Sequence, residues 1–360
     1  MAVAAGFCAP REPRYTLNGI LGTIGNTPLI KLERMSFDMG VNVFAKLERF
    51  NPGGSIKDRT ALNMLVGKIR SGELVPGRSI VVESTSGNLG IGLAQICRYF
   101  GLRFVCVVDP KTTRQNIEIL KAYQARVEVV TERDHETGEF LPTRLRRVRE
   151  IVAAEPHAYW PNQYVNLLNP QAHATTMQEI SRSLDGRVDY LFCSVSTFGT
   201  LRGCAEYARG NALPTTVVGV DAFGSAIFGR KPEPRLISGH GASVPPALLD
   251  ARLVDEVVHV SDLECVVACR RLILREAILA GGSSGATVAA LEKIGAHMPG
   301  GANCVLIFPD GGDRYLDTVY SDEWVTEHFG EVSHLWKGRA APGIEHGPVA
   351  PEGGETPCGI

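Results

Sequence analysis

Short runs of apolar, largely β-branched residues recur along this chain, and longer stretches with helical spacing of apolar positions separate them. The runs at 43–47, 80–83, 104–108, 127–130, 190–193, 217–220, 256–260 and 304–308 have the length and make-up of strands. The stretches at 61–70, 89–100, 116–123, 144–154 and 263–280 read as helices. This β-α-β-α rhythm predicts an α/β fold with largely parallel sheets covered on both faces. Open sheets of that kind place ligands at the carboxyl ends of their strands. No solenoid-length repeat is present.

Composition narrows the function classes without naming one. The 360 residues are enough for one large or two medium domains. With 37 basic and 39 acidic side chains the net charge is −2, which argues against nucleic acid or an anionic membrane as partner. The longest apolar runs, such as Phe104-Val-Cys-Val-Val108, are strand-sized and too short to cross a bilayer. The N-terminus lacks the basic and apolar regions of a secretion signal. Nine scattered cysteines without a metal-like CxxC pair read as buried thiols in a reducing compartment, and the cytoplasm is the expected location. Nine histidines show no metal-like clustering, so no metal is expected. The Ala-, Gly- and Pro-rich start, and the tail over 331–360, are expected to be disordered.

Three strand-to-helix junctions carry small polar residues. They are Ser84-Thr-Ser-Gly-Asn88 after an apolar run, Ser196-Thr-Phe-Gly-Thr200 after another, and Gly281-Gly-Ser-Ser-Gly285 opening a helix of alanines and valines. Hydroxyls and backbone N–H groups at a helix N-terminus favour an anion, although a capped helix with a turn glycine explains any one of them alone. None matches G-x-G-x-x-G or the Walker pattern, so dinucleotide and NTP chemistry is disfavoured.

A fourth junction is more specific. In Lys46-Leu-Glu-Arg-Phe-Asn-Pro-Gly-Gly-Ser-Ile-Lys-Asp-Arg59 a strand leads into a turn, Ser55 is placed to cap a helix, and Lys57 falls in its first turn. A cation there opposes the helix dipole, which lowers its pKa and suits a Schiff-base lysine; a surface lysine beside a cap is the plainer alternative.

Lys57 within Asn-Pro-Gly-Gly-Ser-x-Lys-Asp-Arg, followed by Ser-Thr-Ser-Gly-Asn, resembles the cysteine synthase and cystathionine β-synthase family of fold-type II pyridoxal-phosphate enzymes. The likeness runs from about Ile24 to about Leu316. It implies two open, twisted, mostly parallel sheets covered by helices, as in the tryptophan synthase β arrangement. It also implies a small mobile domain over 46–159, a large domain made of 1–45 and 160–330, and a homodimer. Lys57 would hold pyridoxal 5'-phosphate and remove the substrate's Cα proton. Asn88 would meet the cofactor's ring oxygen, and Ser196, Thr197, Gly199 and Thr200 its phosphate. Ser283 would face the pyridine nitrogen, favouring elimination and replacement over transamination. Ser84, Thr85, Ser86 and Gln163 would hold the substrate carboxylate.

The chain departs from cysteine synthases around the place where sulfide would enter. The phosphate loop, usually Gly-Thr-Gly-Gly-Thr, is Ser196-Thr-Phe-Gly-Thr200; Tyr164 stands where phenylalanine is usual; and Ser243 replaces an apolar residue. These changes add hydroxyls, which a larger polar nucleophile needs and sulfide does not. Within the family the combination resembles the N-(2-amino-2-carboxyethyl)-L-glutamate synthase branch of the staphyloferrin B type. That branch joins O-phospho-L-serine to L-glutamate, through an aminoacrylate intermediate, on a route to 2,3-diaminopropionate for siderophores. By that resemblance Tyr164 and Ser196 would contact glutamate, Arg144 one of its carboxylates, and Arg235 the leaving phosphate. Arg144-Leu-Arg-Arg-Val-Arg149 also fits a solvated helix face. A cysteine synthase using O-phosphoserine or O-acetylserine, and a non-catalytic amino-acid sensor or partner-binding protein, remain as alternatives.

Overall fold

A computed structural model describes residues 19–337 apart from 136, 137 and 230. The disorder expected of the first dozen residues and of the tail beyond 337 concerns residues outside those described. The expected tail begins later than 331. His334–Lys337 form a short helix, Trp336 is buried, and Arg271 donates to the carbonyl of Leu335.

The strands are β1 (Leu29–Lys31), β2 (Asn42–Leu47), β3 (Ile80–Ser84), β4 (Arg103–Val108) and β5 (Arg126–Val129), followed by β6 (Ala158–Tyr159), β7 (Tyr190–Ser194), β8 (Thr216–Ala222), β9 (Glu256–Val260) and β10 (Asn303–Phe308). Among the described residues they form two sheets, one of six strands in the order β1-β2-β10-β7-β8-β9 and one of four in the order β5-β4-β3-β6. Every pairing is parallel except that of β1 with β2. Helices cover both faces, which is why the central strands read as unbroken apolar runs; Val305, Leu306 and Ile307 of β10 are all buried. β2 pairs with β10 over its whole length, from Asn303 opposite Asn42 to Phe308 opposite Leu47. The boundary expected at 46 therefore falls inside a strand of the larger sheet.

Two glycines let helices pack backbone to backbone. A Cβ on Gly203, in helix Gly199–Gly210, would lie 1.9 Å from the carbonyl oxygen of Pro170. One on Gly285, in helix Gly282–Ile294, would lie 2.3 Å from the carbonyl oxygen of Cys265.

A buried charge network fixes helix Lys57–Arg70 against the larger sheet. Arg59 donates from Nε to Glu48 at 2.7 Å and from Nη1 and Nη2 to Glu179 at 2.7 Å each. Lys46, 1% exposed, donates to Glu179 at 2.7 Å and to the Thr27 carbonyl at 2.6 Å. Burial pulls the Glu179 pKa up, but Arg59 and Lys46 outweigh it and hold the carboxyl at about 2. A carboxylate depressed in the folded state stabilises fully above its unfolded pKa, and that stability is lost as pH falls from about 4.5 toward 2. Glu179→Gln should flatten that acid-side loss in denaturant unfolding followed across pH. At pH 7 the same variant should lose about 3–5 kcal/mol, because two buried cations lose their shared partner.

Candidate active site

The carboxyl ends of β7 and β10 in one sheet and of β3 in the other, with the loop that follows β2, open into one cavity of about 350 Å³, within the range of about 300–1,000 Å³ usual for small-molecule sites. Helices beginning at Lys57, Asn88, Gly199 and Gly282 direct their N-termini to it. The first N–H groups of each have no acceptor within the helix, so four partly positive ends converge.

Lys57 is held by its loop. Gly54 adopts φ +81°, a conformation that suits glycine, and Asp58 accepts the N–H of Gly53 at 2.6 Å. Ser55 Oγ accepts the N–H of Lys57 at 3.2 Å, and Ile56 donates to the carbonyl of Pro309 at 2.8 Å, tying the loop to the end of β10. Burial lowers the Lys57 pKa to about 8, against the opposing charge of Asp310. The helix dipole invoked from sequence is not the main cause; desolvation is.

Asn88 lines the cavity with its carboxamide fixed at both ends. Nδ2 donates to Asp310 Oδ2 at 2.7 Å, and Oδ1 accepts from Arg314, which also donates to the carbonyl of Gly53. Ser283 faces the cavity from the first turn of its helix. Ser196, Thr197, Gly199 and Thr200 also line it. There the chain packs so closely that a Cβ on Gly199 would sit 2.2 Å from Asn169 Oδ1. Phe198, where the family has glycine, is left-handed at φ +69°, and its ring is buried edge-on to Phe228 at 6.3 Å.

Of the expected substrate residues, Thr85, Ser86, Gln163 and Tyr164 line the cavity and Ser84 does not. Ser84 is wholly buried as the last residue of β3, and its hydroxyl has no hydrogen-bond partner. Tyr164 has its hydroxyl pushed up to about 12 by burial. Arg144 also faces in. It is 8% exposed and pairs with Asp109 at 3.3 Å, and its Nε and Nη1 lack hydrogen-bond acceptors. Arg235 does not reach the cavity: it donates to the Gly224 carbonyl at 2.6 Å and to Ser243 Oγ at 3.2 Å.

Sequence reasoning passed over four residues here. Glu83 is fully buried, accepts the Trp160 indole N–H at 3.0 Å and the backbone N–H groups of Ser84 and Gln163, and is pushed up to about 7 by burial. A lone acid inside an apolar strand was the signal. Asp310, Arg314 and Lys111 line the cavity within the span of the family likeness, which gave them no role. Among the described residues no group of three or more His, Cys, Asp or Glu is placed to hold a metal ion.

These residues fit pyridoxal phosphate. A desolvated lysine supplies the amine, the tight loop at a helix N-terminus suits the phosphate, and a hydroxyl rather than a carboxylate stands at Ser283. The comparisons agree. The chain is 47% identical over 307 residues, 85% of its length and 90% of the relative's, to N-(2-amino-2-carboxyethyl)-L-glutamate synthase of Ralstonia nicotianae. It is 46% identical over 314 residues, 86% of its length and 91% of the relative's, to the enzyme of the same name from Cupriavidus metallidurans. Among solved structures it resembles O-ureido-L-serine synthase, with 32% identity, a TM-score of 0.79, and 89% of this chain and 98% of that one covered. It matches the cysteine synthase of Entamoeba histolytica with the same identity and TM-score, over 86% of this chain and 93% of that one. The model of the pyridoxal-phosphate dependent enzyme family matches residues 20–310, and with the lysine, the anion loop and the two-sheet fold in agreement the chain belongs to that family.

Proposed function

We propose that this enzyme replaces the phosphate of O-phospho-L-serine with the amine of L-glutamate, releasing N-(2-amino-2-carboxyethyl)-L-glutamate and phosphate. Arg144 carries the assignment. A buried guanidinium whose Nε is ion-paired to Asp109 but whose Nη1 has no hydrogen-bond acceptor, beside Tyr164 in the cavity wall, has no use for sulfide but suits a carboxylate. The charge of the lining supports it: Lys57, Lys111, Arg144 and Arg314 face a single carboxylate, Asp310, as an anionic cofactor and two anionic substrates require. The names of both curated relatives point the same way.

When bound, pyridoxal phosphate supplies the electron sink for charge developing at Cα. Lys57 holds it and then moves the Cα proton; at a pKa of about 8 its amine is a base near neutral pH, so base function rises as pH approaches 8. Asn88 and Ser283 orient the ring, and Ser196, Thr197, Gly199 and Thr200 hold the phosphate. Thr85, Ser86 and Gln163 seat the substrate carboxylate, while Tyr164 and Ser196 flank the incoming glutamate. Ser84 and Arg235 have no direct part. The unit built on the four-stranded sheet closes over the site and excludes water while the β-carbon is reactive. The active form is a homodimer in a reducing cytoplasm, which the seven described cysteines, all buried free thiols, suit. The product serves as a precursor of 2,3-diaminopropionate, which siderophore and peptide-antibiotic routes both use.

The test is a spectral titration of the purified holoenzyme. O-Phospho-L-serine should change the visible spectrum of the bound cofactor, and L-glutamate should restore it while sulfide does so poorly. Restoration by sulfide alone would make this a cysteine synthase. Arg144→Gln should raise the KM for glutamate about 10- to 100-fold, the worth of a charge-assisted hydrogen bond. Its half-reaction with O-phospho-L-serine should be unchanged, as steady-state and single-turnover kinetics will show.

A further inference from the structure

Asp310 belongs to Pro309-Asp-Gly-Gly-Asp-Arg-Tyr315, and none of the roles assigned above explains it. It is the only carboxylate among the described residues lining the cavity, and it is 3% exposed. Oδ2 accepts two hydrogen bonds, from Tyr315 Oη at 2.5 Å and Asn88 Nδ2 at 2.7 Å. Oδ1 is buried without a partner and lies so close to Gly281 that a Cβ there would be 1.9 Å away. An acid in such a place costs stability unless a charge answers it. Its charged and titratable neighbours are Lys57, Arg314, Tyr315, Asp313 and, across the packed helix, Cys269. Arg314 bonds to Asn88 and Gly53 rather than to Asp310. Burial raises the Asp310 pKa and the Arg314 charge opposes that rise, while Lys57, whose loop bridges to Asp310 through Ser55, is the other cation beside it.

We propose that Asp310 is a positioning residue that fixes the Asn88 carboxamide and supplies the negative charge against which the Lys57 nitrogen keeps its proton. Burial drives that proton off, and Asp310 opposes the loss. Gly281 admits the carboxylate at this depth, which gives a small residue at the start of the Ser283 helix a reason to be there. The proposal rests on Lys57 and Asn88 meeting the cofactor, and not on which nucleophile the enzyme uses.

The experiment is a pH titration of the visible absorbance of the holoenzyme without substrate, so a wrong nucleophile does not affect it. Removing a negative charge beside a cation lowers its pKa. Asp310→Asn should therefore lower the pH at which the cofactor's visible band converts to its high-pH form by about one unit, tenfold in the protonation equilibrium. Asp310→Ser, which also frees the Asn88 carboxamide, should shift the midpoint the same way and move the band maximum as well. If Asn at 310 prevents folding, the serine variant alone decides. Borohydride reduction and peptide mapping locate the cofactor. A cofactor on Lys57 in a folded variant whose midpoint is unmoved would overturn the proposal, as would a cofactor on another lysine.

Discussion

The placement of Lys57 depends on a charge it does not touch. Lys57 and Arg59 are two residues apart in one helix, about 200° around its axis, so they leave from nearly opposite faces. Arg59 points into the protein, where Glu48, 0% exposed, and Glu179 share its planar fork. Thr27 and Asn51 donate to the same Glu48 carboxylate at 2.7 Å, and Lys46 to Glu179. Segments before β1, at the exit of β2 and on helix Ala174–Ser183 thus meet at one guanidinium. A lysine at 59 would supply a point charge with one geometry too few. With that face locked, the opposite face of the same turn presents Lys57 to the cavity without depending on a flexible loop.

The cavity is electrostatically lopsided in a way that suits anions. Among the described residues lining it, four helix N-termini and four cationic side chains meet one carboxylate. For phosphate and carboxylate groups this is attraction that needs no rearrangement. For Lys57 desolvation lowers the pKa and the Asp310 charge raises it, leaving the amine at about 8. Asp310 opposes that lowering, and the same carboxylate accepts from Asn88, so one side chain meets both residues that the proposal places against the cofactor.

Much of this was legible in the sequence, and the exceptions have physical causes. Central strands covered on both faces announce themselves as apolar runs, and the observed bounds differ from the expected ones by a residue or two. β1 and β6, with three and two residues at sheet edges, are too short to carry a pattern. Helix Asp262–Glu276 ends four residues before the expected 280, because Ala277 turns left-handed at φ +55° with no glycine to mark it. Which arginine of the basic run faces the site is decided by tertiary neighbours. Arg147 pairs with Glu128 and Glu150, Arg149 lies over the Trp160 ring, and only Arg144 turns inward. Ser84 was misplaced because it ends a fully buried strand, so it is Thr85, the next residue, that faces the cavity. Arg235 was misplaced because a half-buried guanidinium on a loop found a carbonyl and a hydroxyl nearer than the site.

Two further residues show how the second-substrate side is made rigid. Glu83 sits behind the strand end that carries Thr85 and Ser86, yet it accepts from the Trp160 indole and the backbone of Gln163. One buried carboxylate therefore ties the loop of Thr85 and Ser86, proposed to seat a substrate carboxylate, to the segment bearing Tyr164, and they move together if the smaller sheet closes. On the facing side, Phe198 holds a left-handed conformation that costs about 1–3 kcal/mol for a residue with a Cβ. Burying its ring among core residues returns about 1.5–3 kcal/mol. The loop can thus keep the backbone path that glycine would give while gaining a core anchor directly beneath Thr197 and Gly199. Ser196 and Tyr164 are consequently presented from two separately anchored walls, so that once the smaller sheet closes the gap between them is set by these anchors, and such a gap would select a nucleophile by size and charge rather than by reactivity alone.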